Sequence, residues 1–263
     1  MKRLLLCVCS AIACAYFGFA PDLVWSTAER PAHRVQIAGR GEPTVIFESG
    51  LGDTLDAWRG VQPSIASSCA RTLTYSRAGY PGSSPATGAR DARTVVSELR
   101  GELRQRGIFP PYVLVGHSLG GLYMQYFARQ YPKEVAGLVL IDSTHWNQRL
   151  LMGSPMKDKH REVMVFMSFI AQRELADSAL AGEQVHTSPP AVRVPTIVLS
   201  STGVLLGETP TARALAARLQ EDIAADFPGA RHIRVDRSGH YIQRDRPDVV
   251  IRSVRELIHC HVS

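Results

Sequence analysis

The chain contains 263 residues, of which 45% are apolar and 21% are charged. This composition is typical of a folded globular protein and excludes a disordered or fibrous chain. The net charge of +6 comes from arginines scattered along the sequence and not from a basic run, so we expect a solvated basic surface and no nucleic-acid partner.

The first twenty residues, MKRLLLCVCSAIACAYFGFA, place two cations before an apolar stretch that ends in small residues. This layout is typical of a secretory signal, so we expect residues 1–20 to be a signal peptide and the protein to be exported, to the periplasm or the medium. The alternative is an uncleaved or lipidated N-terminal anchor, through which alone we expect membrane contact. Outside this leader only Cys69 and Cys260 remain, and both a disulfide and two separate thiols stay open.

From residue 33 onward, short β-rich runs alternate with longer amphipathic patterns. This alternation predicts an α/β fold in which helices cover both faces of a mostly parallel central sheet, and we treat residues 21–263 as one domain. Several runs are continuous in Val, Ile and Leu, as expected for strands buried on both faces. Predicted strands cover residues 33–38, 43–48, 71–75, 111–116, 137–141, 195–200 and 231–235, and predicted helices cover residues 56–68, 91–106, 119–131, 211–226 and 247–259.

The alternation breaks between residues 143 and 194, and we interpret this segment as a short helical lid insertion. Within REVMVFMSFIAQREL, residues 161–175, the spacing of Met164, Met167, Phe169 and Ile170 predicts that they share one side of a helix. Such side chains suit a surface helix packed on the body and also a pliable wall around an apolar ligand. We therefore expect an apolar group in the substrate.

The most specific signal is YVLVGHSLGG at residues 112–121. Gly116, Ser118 and Gly120 form a Gly-x-Ser-x-Gly pattern between a predicted strand and a predicted helix, which is the context that a nucleophilic serine at a strained turn requires. Because the turn opens a helix, the N–H of Leu119 has no partner within that helix and is directed at negative charge forming beside the serine. We predict Ser118 as the nucleophile and Leu119 as one oxyanion donor.

With this motif in place, the chain resembles the α/β-hydrolases from about residue 34 to the C-terminal helix. The loop in IRVDRSGHYIQRDRPDVV, residues 233–250, is similar to the family's histidine loop, and the resemblance implies His240 as the general base. The loop in ESGLGDTLDAW, residues 48–58, resembles the family's His-Gly-x-Gly turn, although Glu48 and Ser49 stand where a histidine often precedes the glycine. The resemblance implies that Gly50 lets the backbone turn inward so that Leu51 presents the second oxyanion N–H.

Two further segments depart from the family pattern. YSRAGYPGSS, residues 75–84, is similar to a family turn in which an aspartate occupies the position of Ser76, and we expect Arg77 to organise this loop and not to bind substrate. The usual triad acid follows the strand predicted at residues 195–200, yet the sequence there reads STGVLLGE, without an aspartate. A family variant places the acid one strand earlier, so we assign Asp142. Glu208 is the main alternative, with Asp222 or another carboxylate after it. Asp142 also fits a structural role in which it bonds loop amides.

The resemblance implies a serine hydrolase that cleaves carboxylic esters through an acyl-enzyme. Alternatives are a non-catalytic binding protein with this fold, or a cofactor-free member with other chemistry: peracid formation, carbon–carbon bond cleavage, lactone hydrolysis or aminopeptidase activity. A serine at the nucleophile position argues against the epoxide-opening and dehalogenating branches, which use an aspartate. We see no cofactor or metal motif, and the sequence leaves the oligomeric state open.

Overall fold

The computed structural model describes residues 33–67, 70–151, 167–203 and 209–259. They form a seven-stranded sheet with the order β1-β3-β2-β4-β5-β6-β7, in which only the β1–β3 pair is antiparallel. The predicted fold class is therefore confirmed, and each predicted strand is present within two residues of its expected bounds. The strands are β1 (Arg34–Ala38), β2 (Thr44–Glu48), β3 (Thr72–Ser76), β4 (Tyr112–His117), β5 (Val135–Ile141), β6 (Thr196–Ser201) and β7 (Arg231–Val235).

Helices lie on both faces of the sheet. The α-helices are α1 (Gln62–Ala66), α2 (Ala92–Gln105), α3 (Leu119–Gln130), α4 (Gln148–Leu151), α5 (Phe169–His186), α6 (Pro210–Ala225), α7 (Ile242–Asp245) and α8 (Pro247–Leu257). One apolar core joins α2, α3, α5 and α6 to the sheet, and a second joins α1, α7 and α8 to the other face. Strands β2, β3 and β4 are buried at every residue, as strands covered on both faces must be.

The helix predicted over residues 56–68 is wrong as a single element. A short 3-10 helix covers Leu55–Trp58, and α1 begins only at Gln62, with Gly60 in the turn between them. Pro63 lies in the first turn of α1. Because proline has no N–H to donate to the preceding turn, it can begin a helix but cannot continue one.

The segment between β5 and β6 contains α4 and α5. The predicted shared apolar face is not formed by the residues that can be compared: Met167 lies before the start of α5, and Phe169 is 76% exposed whereas Ile170 is buried. Met164 lies outside the described residues, so its place in this pattern is not tested. The lid role of the segment stays a prediction.

Several predictions fall on parts of the chain that the structure does not describe. These are the leader at residues 1–20, the pairing of Cys69 with Cys260, and the alternative acid Glu208. Among the described helices, none has both the length and the apolar character needed to cross a membrane.

Candidate active site

Ser118 lies at the junction of β4 and α3, at the carboxyl edge of the sheet. Its backbone adopts φ 51° and ψ −122°, a conformation that is strained for a residue with a side chain. Hydrogen bonds fix the turn on both sides: the Ser118 N–H donates to the carbonyl of Ile141 at 3.0 Å, and the Ser118 carbonyl accepts from the N–H of Thr144 at 3.0 Å. The neighbouring strand thus holds the serine in place at the start of the helix.

The glycine at position 120 is required by close backbone contact. A Cβ atom at Gly120 would lie 2.6 Å from the carbonyl oxygen of Glu48, which belongs to the end of β2. Since real Cβ atoms do not approach backbone oxygens so closely, a side chain here would push the helix away from the loop after β2. The motif therefore keeps Ser118 next to the segment that begins at Gly50.

The structure brings Ser118, His240 and Asp142 together from three parts of the chain. The Nε2 atom of His240 lies 2.9 Å from the Oγ of Ser118, and its Nδ1 atom lies 2.7 Å from the Oδ2 of Asp142. His240 is in the loop between β7 and α7, and Asp142 directly follows β5. One imidazole thus bridges the hydroxyl and the carboxylate.

Asp142 is held as a carboxylate by its surroundings. Its Oδ1 accepts the N–H of Ser201 at 3.0 Å, and its Oδ2 accepts the hydroxyl of Ser201 at 3.2 Å. Burial alone would raise the pKa of Asp142, but the hydrogen bonds from His240 and Ser201 outweigh burial and lower the pKa below its usual value. Ser201 lies at the end of β6, next to β5, and sequence reasoning did not identify it because a serine after a strand carries no specific signal.

The other histidines near the site have different partners. His117 precedes Ser118 but directs its ring away from the hydroxyl, so that its Nε2 donates to the backbone carbonyl of His240 at 2.9 Å. Burial, reinforced by the charge of the His240 ring when protonated, lowers the pKa of His117 to about 3. His232 instead contacts the hydroxyl of Ser200 at 2.8 Å. Neither ring reaches the position that a base for Ser118 would occupy.

The two predicted oxyanion donors belong to backbone next to Ser118. Leu119 is the first residue of α3, where a helix N–H has no partner one turn earlier. A Cβ atom at Gly50, the residue before Leu51, would lie 2.8 Å from the Nδ1 of His117 and 3.3 Å from the Cβ of Ser118, so Gly50 lies next to the serine turn. Both segments therefore lie next to Ser118, and the role of their N–H groups as oxyanion donors stays a prediction.

A cavity of about 240 Å³ opens beside the serine. Its wall includes Ser118, Asp142 and His240, together with polar side chains from β6, β7 and α6. No group of three His, Cys, Asp or Glu side chains arranged to hold a metal ion occurs among the described residues. The lining residues are Ser118, Asp142, Gln148, Ser200, Ser201, Gly203, Arg213, Ala216, Ala217, Gln220, Glu221, His232, Arg234 and His240.

A family model for the alpha/beta hydrolase fold matches residues 43–188, which is more than half of the chain. The chain belongs to the α/β-hydrolase fold family. The match begins just before β2 and ends just after α5, so it includes the serine turn of this α/β-hydrolase but not the loop of His240.

The α/β-hydrolase is similar to curated proteins of undescribed activity. It is 26% identical to the uncharacterized protein YqjL of Bacillus subtilis over 224 residues, which cover 83% of this chain and 84% of that protein. It is 33% identical to the uncharacterized protein YbdG of Bacillus subtilis over 106 residues, or 40% of this chain; the match spans about a third of YbdG, 32% of its length.

Solved structures share the fold at low identity. An esterase from Thermogutta terrifontis aligns with a TM-score of 0.60 and 19% identity over 86% of this chain and 93% of that chain. A putative ancestral haloalkane dehalogenase aligns with a TM-score of 0.63 and 19% identity over 86% of this chain and 95% of that chain. These neighbours share the fold of this chain, and identities this low establish the fold and neither the activity nor the substrate.

Proposed function

We propose that this α/β-hydrolase is a serine hydrolase that cleaves carboxylic esters. The observation that carries the proposal is the imidazole of His240, which lies 2.9 Å from the Ser118 hydroxyl and 2.7 Å from the Asp142 carboxylate. A serine hydroxyl is a weak nucleophile until a base removes its proton, and an imidazole held in one tautomer by a carboxylate is suited to do so.

The acylation step follows from this arrangement. The Oγ of Ser118 attacks the ester carbonyl carbon while its proton passes to Nε2 of His240. The carbonyl oxygen becomes an oxyanion, which accepts hydrogen bonds from the N–H groups of Leu51 and Leu119. The ester C–O bond then breaks, and His240 returns the proton to the departing alkoxide. Asp142 stabilises the imidazolium throughout but keeps its own charge.

Deacylation repeats the same steps with water. His240 removes a proton from a water molecule, the hydroxide attacks the acyl carbon, and the second tetrahedral species collapses with release of the carboxylic acid. The proton on His240 returns to the Oγ of Ser118, which restores the starting state. No redox partner or external acid is required.

The dehalogenase among the structural neighbours does not favour a dehalogenating activity here. The family resemblance implies an aspartate nucleophile for displacement of halide in that branch, whereas this chain has a serine at position 118. The expectation of an apolar substrate group depended partly on Met164, outside the described residues, and we keep it as a proposal. Export through residues 1–20 is likewise a proposal that rests on the sequence pattern alone.

The test uses the purified protein, a short nitrophenyl ester and a fluorophosphonate probe. We expect the wild type to release nitrophenol and to be labelled, and Ser118→Ala to lose both because the hydroxyl that His240 contacts is gone. Ser67→Ala, at an exposed serine after α1, is the control and should keep both. A folded wild-type protein that is neither labelled nor active would contradict the proposal and favour a binding protein.

A further inference from the structure

Arg77 is a fully buried cation beneath the loop that follows β2. Its side chain is 1% exposed. Nη1 donates to the carbonyl of Ser49 at 2.6 Å, and Nη2 donates to the carbonyl of Gly50 at 2.9 Å. The guanidinium therefore fixes the orientation of two successive peptide groups in the loop that carries Leu51.

The direction of the Gly50 carbonyl sets the direction of the next N–H. In a trans peptide the C=O of one residue and the N–H of the following residue point to opposite sides. Because Arg77 binds the Gly50 carbonyl, the N–H of Leu51 must point away from Arg77. A Cβ atom built at Gly50 would lie 3.3 Å from the Cβ of Ser118, so Gly50 lies next to the serine, and the side of the loop away from Arg77 is the side on which we expect the oxyanion.

Glu174 holds Arg77 from the other side. It belongs to α5, in the segment between β5 and β6, and it is completely buried. Its carboxylate accepts from Nε of Arg77 at 2.6 Å and from Nη2 at 2.7 Å, a two-point contact that fixes the plane of the guanidinium. Nη1 and Nη2 of Arg77 are thereby placed to donate to the loop carbonyls, and Nη1 also contacts Glu48.

A second connection runs from Glu174 to the same loop through Tyr80. The Tyr80 hydroxyl donates to Oε2 of Glu174 at 2.7 Å and accepts the N–H of Gly52 at 2.9 Å. Glu174 therefore organises both side chains that bind the loop on either side of Leu51. Sequence reasoning placed Arg77 as a loop organiser but did not identify Glu174 or Tyr80.

Arg77 contacts a second buried carboxylate, Glu48, in addition to Glu174. Glu48 contacts Nη1 of Arg77 at 2.6 Å and also the Tyr75 hydroxyl. Burial raises the pKa of Glu48, although Arg77 and Tyr75 oppose this effect. Glu48 binds Arg77 through one oxygen, whereas Glu174 binds it through both, so Glu174 constrains the plane of the guanidinium more strictly.

We propose that Glu174 is a positioning residue for the oxyanion loop: by holding Arg77 and Tyr80, it directs the N–H of Leu51 at the negative charge that develops beside Ser118. The proposal rests on the proposed function, because the loop is an oxyanion site only if Ser118 forms an acyl-enzyme. Its consequence is that a residue of the segment between β5 and β6 determines transition-state stabilisation without contacting the substrate.

Glu174→Gln tests the proposal, because glutamine keeps the size of the side chain but removes the charge and one acceptor. Complete loss of an oxyanion donor costs about 10²–10³-fold in kcat, so a misdirected donor should cost roughly 10- to 100-fold. We expect KM for the nitrophenyl ester to stay unchanged, and the affinity for a trifluoromethyl ketone, which forms an oxyanion on Ser118, to fall in parallel with kcat. If Glu174 only stabilised the fold, its substitution would not lower kcat and the ketone affinity by the same factor.

The matched control is Glu98→Gln. Glu98 binds the buried Arg90 through both oxygens, at 2.8 and 3.0 Å. The substitution therefore breaks a comparable ion pair that does not contact the loop of Gly50. If Glu174→Gln fails to fold, Tyr80→Phe tests the proposal in its place, because this substitution removes only the hydroxyl that bridges Gly52 and Glu174. We expect Tyr80→Phe to lower kcat and ketone affinity together, and Glu98→Gln to change neither.

Folded Glu174→Gln or Tyr80→Phe with wild-type kcat would overturn this proposal while leaving the serine hydrolase intact. A fall in kcat without a parallel fall in ketone affinity would also overturn it. A wild-type protein without turnover or fluorophosphonate labelling would instead overturn the proposed function and, with it, the role of Glu174.

Discussion

Asp142 and Ser201 lie at the carboxyl ends of the neighbouring parallel strands β5 and β6. The commonest family pattern places the acid after the strand that is β6 here, but this chain has a serine at the end of that strand. Because adjacent parallel strands end at the same edge, a carboxylate after β5 reaches the imidazole from nearly the same place, and Ser201 then binds it through its N–H and hydroxyl.

Replacing Asp142 by asparagine should therefore lower kcat on the nitrophenyl ester by about 10⁴-fold, on the scale seen when a triad aspartate is changed to its amide. The amide nitrogen would face Nδ1 of His240 and favour the wrong tautomer. The measurement is steady-state turnover of folded protein, with Glu208→Gln as the comparison variant. Loss of turnover in Glu208→Gln and not in Asp142→Asn would show that Asp142 only supports the loop.

At the scale of elements, the turn from β4 into α3 is constrained both by its backbone conformation and by close contact with β2. Ser118 adopts a positive φ, and Gly120 touches the end of β2, so one short segment joins the nucleophile to the oxyanion loop. The helix that follows is buried along most of its length. Strain at the serine is therefore sustained by the packing of α3 and by the contact with the end of β2.

Gly120→Ala should destabilise the protein by about 1–3 kcal/mol, because the added methyl group would collide with backbone that cannot rotate away. The same shift should move the loop of Gly50 and lower kcat. Gly101→Ala is the matched control: position 101 lies within α2, and no heavy atom lies within 4 Å of the added Cβ. Alanine there should stabilise the helix by roughly 0.5–1 kcal/mol.

Urea unfolding monitored by circular dichroism, together with turnover, checks both glycine substitutions. If the two alanine variants had equal stability and activity, the close contact between α3 and the end of β2 would not constrain the turn.

At the scale of the whole molecule, burial of histidines makes stability depend on pH. Burial lowers the pKa of His117 to about 3, against a usual value of 6.5. Between these values the unfolded chain binds a proton that the folded chain does not, so the free energy of unfolding must fall as pH falls through this window. Burial also lowers the pKa of His145 and that of His232, which act in the same direction.

The contribution of His117 can be isolated with His117→Gln, whose amide can still donate to the carbonyl of His240. We expect the unfolding free energy of the wild type to fall more steeply between pH 6.5 and pH 4 than that of the variant. The difference in slope should approach about 1.4 kcal/mol per pH unit, the value for one proton. Urea titrations at several pH values measure it, and parallel curves for the two proteins would contradict the buried, neutral state of His117.

Local sequence pattern determined the strands, most helices and the identity of the serine turn, because these depend on short-range periodicity and on glycines that a tight turn demands. It failed where a proline divided one predicted helix into two short elements, and where Phe169 and Ile170 were expected on one face. It also pointed to His240 and Asp142 through motif resemblance, but it could not show that their side chains meet Ser118.

The meeting of positions 118, 142 and 240 was decided by the tertiary structure, since it depends on parallel strands ending at one edge of the sheet. The same holds for Ser201, Glu174 and Tyr80, which carry no local signal because serine, glutamate and tyrosine are common on surfaces and in helices. The roles of these three residues depend on burial and on hydrogen bonds to residues up to 97 positions away in the sequence. Such contacts are properties of the packed chain, and no window of sequence contains them.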